Sequence, residues 1–218
     1  MALYPLLMNL EDKFIVVIGG GEVAFRKVQD LCQAGAVVLV ISPWIHPELE
    51  KLAADPGSRV TLKKRKYKKG DLKGAMLVFS ATNQPDVNRQ VFREAEKRNI
   101  FINAVDDPPN CTFIVPSVER RGDLILALST SGSSPAMAAR LRREIASHIP
   151  QKIEVILPAL REARDLLKTH KDFSSLESGQ RGELLKEVVA DDRALEELAA
   201  AYEEKRLVEY LRGKAVLS

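Results

Sequence analysis

The order of apolar and polar positions in the first half of the chain predicts strands that alternate with helices. Phe14–Ile18 is a short, continuously apolar run, typical of a strand that is buried on both faces of a parallel sheet. A helical pattern follows over residues 22–34, ends at Gly35 and leads into a second apolar run at residues 36–41. This alternation predicts an α/β fold with a doubly wound parallel sheet.

Further elements continue the pattern to about residue 105. Strands are predicted at residues 60–62, 75–80 and 100–105, and helices at residues 48–54 and 86–98. We therefore predict a Rossmann-like nucleotide-binding domain over residues 1–112, with its ligand edge at the carboxyl ends of the strands.

The pattern changes after this domain. Two strands, 112–118 and 123–129, are predicted to be joined at residues 119–122, and a helix is predicted over 136–148 with Ser134 as its N-cap. This region, 113–150, has an apolar face but too little domain of its own to cover it, so we predict that it is a dimerisation region. Residues 151–218 are predicted to form a helical C-terminal region, with a break at 174–182.

Composition and charge narrow the class of protein. Hydrophobic residues make up 45% of the chain, charged residues 29%, and the net charge of +3 is too small to indicate nucleic acid. The basic run at residues 63–69 is either a solvated strand or loop, or a contact for an acidic ligand. The apolar start is too short to span a bilayer, and Cys32 and Cys111 form no CxxC pair. We expect a cytoplasmic protein without a membrane partner.

A glycine fingerprint lies between the first strand and the first helix. It matches the dinucleotide pattern G-x-G-x-x-G/A and comprises Gly19, Gly20, Gly21, Glu22, Val23 and Ala24. Glycines there permit a tight turn and a close approach to a pyrophosphate, which the helix N-terminus then attracts. The alternative is a structural strand-to-helix turn.

Two further segments are expected at the ligand edge. Ser42 and Pro43 follow the second strand, where an acidic residue often binds the ribose hydroxyls, so the residues alone do not decide between NAD and NADP. Small and hydroxyl side chains, which permit close approach to a ribose or nicotinamide, follow the fourth strand at Ala81, Thr82 and Asn83. A simple turn is the alternative reading there.

An aspartate pair follows the fifth strand. Asp106 and Asp107 precede Pro108, which favours an extended Asp107, so the two carboxylates are expected to point to opposite sides. The one that faces the cleft is a candidate general base if desolvation raises its pKa, and solvated turn residues are the alternative. His46, His148 and His170 are isolated in the sequence, and we assign no metal site.

A serine-rich segment precedes the predicted helix at residues 136–148. Ser129, Thr130 and Ser131 are candidates for an anion cradle, and Arg140 on the helix for contact with a polyanionic substrate. N-capping and a solvated arginine are the alternatives.

The ordered set of motifs resembles precorrin-2 dehydrogenase, the amino-terminal module of siroheme synthase. The resemblance covers about residues 1–150 and includes the glycine fingerprint, Arg65 with Tyr67, the Asn103–Asp106 segment, residues 113–117 and the serine segment. It implies that NAD takes a hydride from precorrin-2 to give sirohydrochlorin, with Asp106 removing protons. It also implies a homodimer in which the region after the Rossmann domain is swapped between the subunits and, in some members, insertion of ferrous iron.

A different class competes with this interpretation. A dimeric, NAD-sensing regulatory module without catalysis would use the same glycine fingerprint and the same dimer. The Asp106 segment and Arg140 favour an enzyme that acts on a polyanion. The resemblance favours NAD over NADP, and no arginine follows the second strand to bind a 2′-phosphate.

Overall fold

The computed structural model describes residues 3–105 and 107–215. They divide into two compact units, residues 3–115 and residues 116–215. The expected division of the second half into a dimerisation region and a helical region stays a prediction.

The first unit contains a parallel sheet with the strand order β3-β2-β1-β4-β5. Its strands are β1 (Phe14–Ile18), β2 (Val37–Ile41), β3 (Val60–Lys63), β4 (Leu77–Ser80) and β5 (Phe101–Ala104). Ile18, the last residue of β1, pairs with Ile41 of β2 and with Ser80 of β4. The sheet confirms the predicted Rossmann-like fold, and this register brings the segments after the central strands to one edge.

Helices cover both faces of this sheet. They are α1 (Glu22–Gln33), α2 (Pro47–Ala54) and α3 (Pro85–Lys97). Ile15 and Val17 of β1 pack in a cluster with Val28 of α1, whereas Val16 packs on the opposite face in a cluster with Val91 of α3. Burial on both faces explains why β1 is a continuous apolar run instead of an alternating one.

The second unit begins with an antiparallel hairpin of β6 (Ser117–Arg121) and β7 (Leu124–Leu128). Arg121 pairs with Leu124, so Gly122, with φ of +55°, and Asp123 form the turn. The predicted turn at residues 119–122 is therefore wrong. The strand predicted from residue 112 begins only at residue 117, because Thr112 bonds to β5 and Phe113 packs in the first unit.

Helices complete the second unit. They are α4 (Pro135–Ser147), α5 (Ile153–Thr169), α6 (Ser178–Ala190), α7 (Asp192–Glu203) and α8 (Leu207–Ala215). Ser134 caps α4 as predicted, its hydroxyl accepting a hydrogen bond from the Met137 amide at 3.2 Å. The break between α5 and α6 lies at residues 170–177, earlier than predicted. Among the described residues, no helix combines the length and the apolar character that a bilayer span requires.

Candidate nucleotide-binding site

The glycine loop after β1 lies between the loops that follow both neighbouring strands. Gly19 has a φ of +113°, and a Cβ built on it would lie 2.2 Å from the carbonyl oxygen of Ala81. A Cβ on Gly20 would lie 2.2 Å from the carbonyl oxygen of Trp44. Backbone atoms thus exclude a side chain at both positions, and glycine is what lets the three loops meet.

The space beside Gly21, in contrast, is open. Gly21 is the N-cap of α1, and a Cβ built on it would meet no atom within 4 Å. No side chain caps this helix, so the backbone N–H groups of its first turn are available to a ligand. Together with the positive end of the helix dipole, they suit a pyrophosphate. Ala24 is fully buried and lets α1 pack closely on the sheet.

A cavity of about 640 Å³ opens beside this loop, at the carboxyl ends of β4 and β5. Ala81, Thr82 and Asn83 line it after β4, and Val23 lines it from α1. Its other lining residues are Pro85, Asn88, Arg89, Val105, Asp107 and Asn110. The structure therefore brings together four of the residues that the sequence predicts for cofactor binding.

A buried hydrogen-bond chain supports the Thr82 segment. The Ser80 hydroxyl donates to the Asn88 side-chain oxygen at 2.7 Å, and the Asn88 amide nitrogen donates to the Thr82 carbonyl at 3.2 Å. Ser80 and Asn88 are almost entirely buried. Ser80 belongs to the segment that the sequence predicts at the ligand edge, whereas the bond from Asn88 to the Thr82 carbonyl was not predicted, although a polar residue on the apolar face of a predicted helix was the available signal.

The aspartate pair is only partly described. Asp106 lies outside the described residues. Asp107, expected to point away from the cleft, lines the cavity and accepts a hydrogen bond from the Asn110 amide at 2.8 Å. The opposite orientation of the two carboxylates stays a prediction. The strand ends at Ala104 and Asp107 occupies the N-cap position of the 3₁₀ turn Pro108–Asn110, so strand alternation no longer sets the direction of the Asp107 side chain.

A smaller cavity lies at the carboxyl ends of β1 and β2. Ser42 and Pro43 line it, as does Gly19. The basic run contributes Lys66 and Tyr67 to the same cavity. A contact of this run with an acidic ligand was one of the two alternatives that the sequence left open.

Glu22 pairs with a histidine. The His46 Nε2 lies 3.2 Å from the Glu22 carboxylate, and the His46 ring stacks on Phe25 at 5.5 Å between ring centroids. His46 has no partner nearby in the sequence, and it gains this carboxylate neighbour because folding places the start of α2 beside α1. In the part of the chain that the structure describes, no group of three or more His, Cys, Asp or Glu side chains is arranged to hold a metal ion.

The remaining predicted residues belong to the second unit. Ser131 has a φ of +52°, and its amide donates to the Ser129 hydroxyl at 3.1 Å. The Thr130 hydroxyl accepts from the Ser134 amide and donates to its carbonyl. Their polar groups therefore bond to one another within the loop, whereas Arg140 is exposed on α4.

Comparison with known proteins agrees with this geometry. A family model described as "putative NAD(P)-binding" matches residues 6–117, and a model described as the central part of a sirohaem biosynthesis protein matches residues 121–148. The glycine loop, the open helix terminus and the parallel sheet thus define a dinucleotide-binding protein, with NAD(P) as its cofactor. The chain belongs to the family of NAD(P)-binding domains that the first model describes.

Siroheme synthases are among the curated relatives. The chain is 42% identical to the siroheme synthase of Methylobacillus flagellatus over 168 residues, which are 77% of this chain and 36% of the relative. It is 40% identical to that of Pseudoalteromonas translucida over 153 residues, 70% of this chain and 32% of the relative. The predicted resemblance to this protein is confirmed, and the chain spans about a third of the relatives' length.

A solved structure shares the fold. The precorrin-2 dehydrogenase SirC superposes with a TM-score of 0.78 over 97% of this chain and 98% of that chain, at 24% identity. The likeness therefore extends to the helices of the second unit.

Proposed function

We propose that the chain is an NAD-dependent dehydrogenase that oxidises precorrin-2 to sirohydrochlorin. One observation carries the proposal: the open N-terminus of α1 and the cavity beside β4 and β5 adjoin, so a nucleotide phosphate and a reacting group fit at one sheet edge. The names of the siroheme synthases and of SirC support the substrate.

The oxidation removes a hydride and a proton from precorrin-2, and each has its own acceptor. Precorrin-2 loses a hydride to the nicotinamide, and a proton leaves to a base, giving NADH and sirohydrochlorin. We propose Asp106 as that base, because it follows Val105, a residue that lines the cavity, in the sequence and because the family resemblance selects it. Asp107 is the second candidate, since it is one of the residues that line the cavity.

The assay for this function is direct. The purified chain is incubated with precorrin-2 and NAD, and the absorbance of the products is recorded. An enzyme gives NADH and sirohydrochlorin in amounts that exceed the amount of protein. Binding of NAD without turnover would instead support the non-catalytic, NAD-sensing module.

A homodimer is part of the proposal. Met137, Leu141 and Ile145 follow one another at intervals of four on α4, so they lie on one face, and they are 44%, 36% and 45% exposed. Ile125 of the hairpin is 38% exposed as well. Such an apolar stripe on a surface helix is typical of an interface with a second copy.

Ferrous iron is proposed as a further substrate, inserted into sirohydrochlorin after the oxidation. The same base would remove the pyrrole N–H protons. Anaerobic addition of ferrous iron to the product should then give the siroheme spectrum faster with the chain than without it. Equal rates would restrict the chain to the oxidation.

We also place the chain in the cytoplasm. Cys32 and Cys111, the two cysteines of the sequence, are both free thiols, which suits a reducing compartment.

A further inference from the structure

A groove between α5 and α6 offers an apolar surface to a ligand. Its volume is about 590 Å³, within the range of about 300–1,000 Å³ that is typical of small-molecule sites. Leu167, Leu185 and Val189 line it. Leu185 and Val189 are one helical turn apart on α6, so they lie on one face, and Val189 is 53% exposed. The groove therefore suits a ligand with an apolar body.

The charged residues that line this groove are all cationic. They are Arg164, Lys168, Arg181 and Lys186, and no lining residue that the structure describes is acidic. Lys186 lies 2.7 Å from the Glu183 carboxylate, whereas the other three form no ion pair within the described ranges. Because like charges around one cavity repel each other, an anion in the groove would be attracted by all of them.

Arg181 also has a buried donor that lacks an acceptor. Its Nε is buried and has no hydrogen-bond partner in the described part of the chain, while its Nη2 donates to the Phe173 carbonyl oxygen at 3.4 Å. Buried polar groups are normally paired, and a carboxylate is the acceptor that fits the planar guanidinium group best. A ligand carboxylate in the groove would supply the missing acceptor.

We propose that this groove is a second tetrapyrrole site, and that it binds sirohydrochlorin, the product of the proposed reaction. The inference rests on the proposed function, which makes a ligand of matching chemistry: an apolar ring edged with carboxylates. The ring would pack on Leu185 and Val189, and the carboxylates would pair with the arginines and lysines. A fatty acid also has an apolar body, but its single carboxylate would engage only part of the cationic set.

Gly182 allows the groove to be blocked without disturbing the fold. It lines the groove, and a Cβ built on it meets no atom within 4 Å. Gly182→Leu should therefore occupy the groove, and replacement of a glycine inside a helix favours the helix. Gly179→Leu is the matched control, because Gly179 lies on the same helix with equally open space and is not one of the residues that line the groove.

Anaerobic equilibrium dialysis of the full chain against sirohydrochlorin counts the binding sites. We expect two molecules per chain, one at the sheet edge and one in the groove, for the unaltered protein and for Gly179→Leu. Gly182→Leu should bind one. Arg181→Gln should weaken the second site by about tenfold or more, the loss of a charge-assisted hydrogen bond. Arg193→Gln is its control, since Arg193 is exposed on α7 and lies 3.1 Å from the Glu197 carboxylate.

Turnover of precorrin-2 with NAD distinguishes a failure of this inference from a failure of the proposed function. If the unaltered protein oxidises precorrin-2 but Gly182→Leu binds as many sirohydrochlorin molecules as it does, the groove is not a tetrapyrrole site and the function stands. If precorrin-2 is not oxidised but Gly182→Leu still removes one bound sirohydrochlorin, the function fails and the groove stands. Loss of turnover in Gly182→Leu, with one site in the unaltered protein, would overturn the second site. Equal competition by dodecanoate would assign the groove to acyl chains instead.

Discussion

At the scale of single residues, a substitution of Gly21 can test nucleotide binding without disturbing the fold. Its φ of −82° suits any amino acid, and a Cβ on it meets no atom of the protein. We predict that Gly21→Asp lowers NAD affinity by about a hundredfold or more, because a carboxylate would occupy and repel the pyrophosphate position. Titration calorimetry measures the loss.

Two further glycine substitutions distinguish a loss of NAD binding from a loss of folding. Gly21→Ala should fold like the unaltered protein, whereas Gly19→Ala should not, because its Cβ would overlap the Ala81 carbonyl at 2.2 Å. Near-normal NAD affinity in a folded Gly21→Asp protein would show that the pyrophosphate does not bind at the N-terminus of α1.

The two aspartates give a second prediction at this scale. Asp106→Asn should lower kcat by about 10²–10⁴-fold, the usual effect of removing a general base, and leave NAD affinity almost unchanged. Asp107→Asn should have a much smaller effect, because Asp107 is engaged by Asn110 at 2.8 Å. Steady-state kinetics of both variants would show a reversed order if Asp107 is the base.

Site residues that directly follow a strand could be predicted from the sequence, whereas contacts between residues from distant parts of the sequence could not. The glycine fingerprint and the Ala81–Asn83 segment follow strands directly, so their place at the sheet edge was evident. Lys66 comes to Ser42 only because β3 lies beside β2, and His46 meets Glu22 only because α2 begins beside α1.

At the scale of elements, the basic run is tied to its surroundings by the Arg65–Asp71 pair. The hydrogen bonds from Arg65 hold the pKa of Asp71 below its usual range. Because the folded pKa is the lower one, the pair contributes stability above the ordinary aspartate pKa of about 3.9, and this stability is lost as the pH falls towards the folded pKa.

The corresponding prediction concerns Asp71→Asn. It should lower the free energy of unfolding by about 1–3 kcal/mol at neutral pH, and the difference from the unaltered protein should shrink below about pH 4. Asp86→Asn is the control, since its pair with Arg89 is exposed and contributes little. Urea unfolding at several pH values provides the test, and a pH-independent difference would contradict the assigned cause.

The apolar stripe of α4 gives a prediction about assembly. We expect sedimentation equilibrium to give about twice the chain mass of 24.2 kDa, and Leu141→Glu to give the monomer, because a charge would be buried in the interface. Val189→Glu is the control, since Val189 is 53% exposed and belongs to α6, whereas the stripe belongs to α4. A monomeric unaltered protein would refute the dimer.

Element types were easier to predict than element ends. The helices and sheet strands of the first unit lie within about two residues of the predicted bounds, because apolar periodicity marks buried positions directly. The turn of the hairpin was predicted too early in the sequence, because Glu119 and Arg121 are polar residues of the kind found in turns. In the structure, Glu119 lies in β6 and forms an ion pair with Arg142 of α4.

At the scale of the whole molecule, the chain corresponds to about a third of the siroheme synthases that it matches. Its described residues nevertheless form a glycine loop and a cavity at the sheet edge, and Arg140 is exposed on α4. We therefore predict that the purified chain oxidises precorrin-2 without the rest of such a protein.

The most direct measurement is the stoichiometry of an anaerobic reaction between the purified chain, precorrin-2 and NAD, since oxygen could oxidise the tetrapyrrole without the nucleotide. We predict that one NADH forms for each sirohydrochlorin over many turnovers, and that the Gly21→Asp protein forms neither product. Sirohydrochlorin formed without NADH, or no product from a protein that binds NAD, would contradict the dehydrogenase.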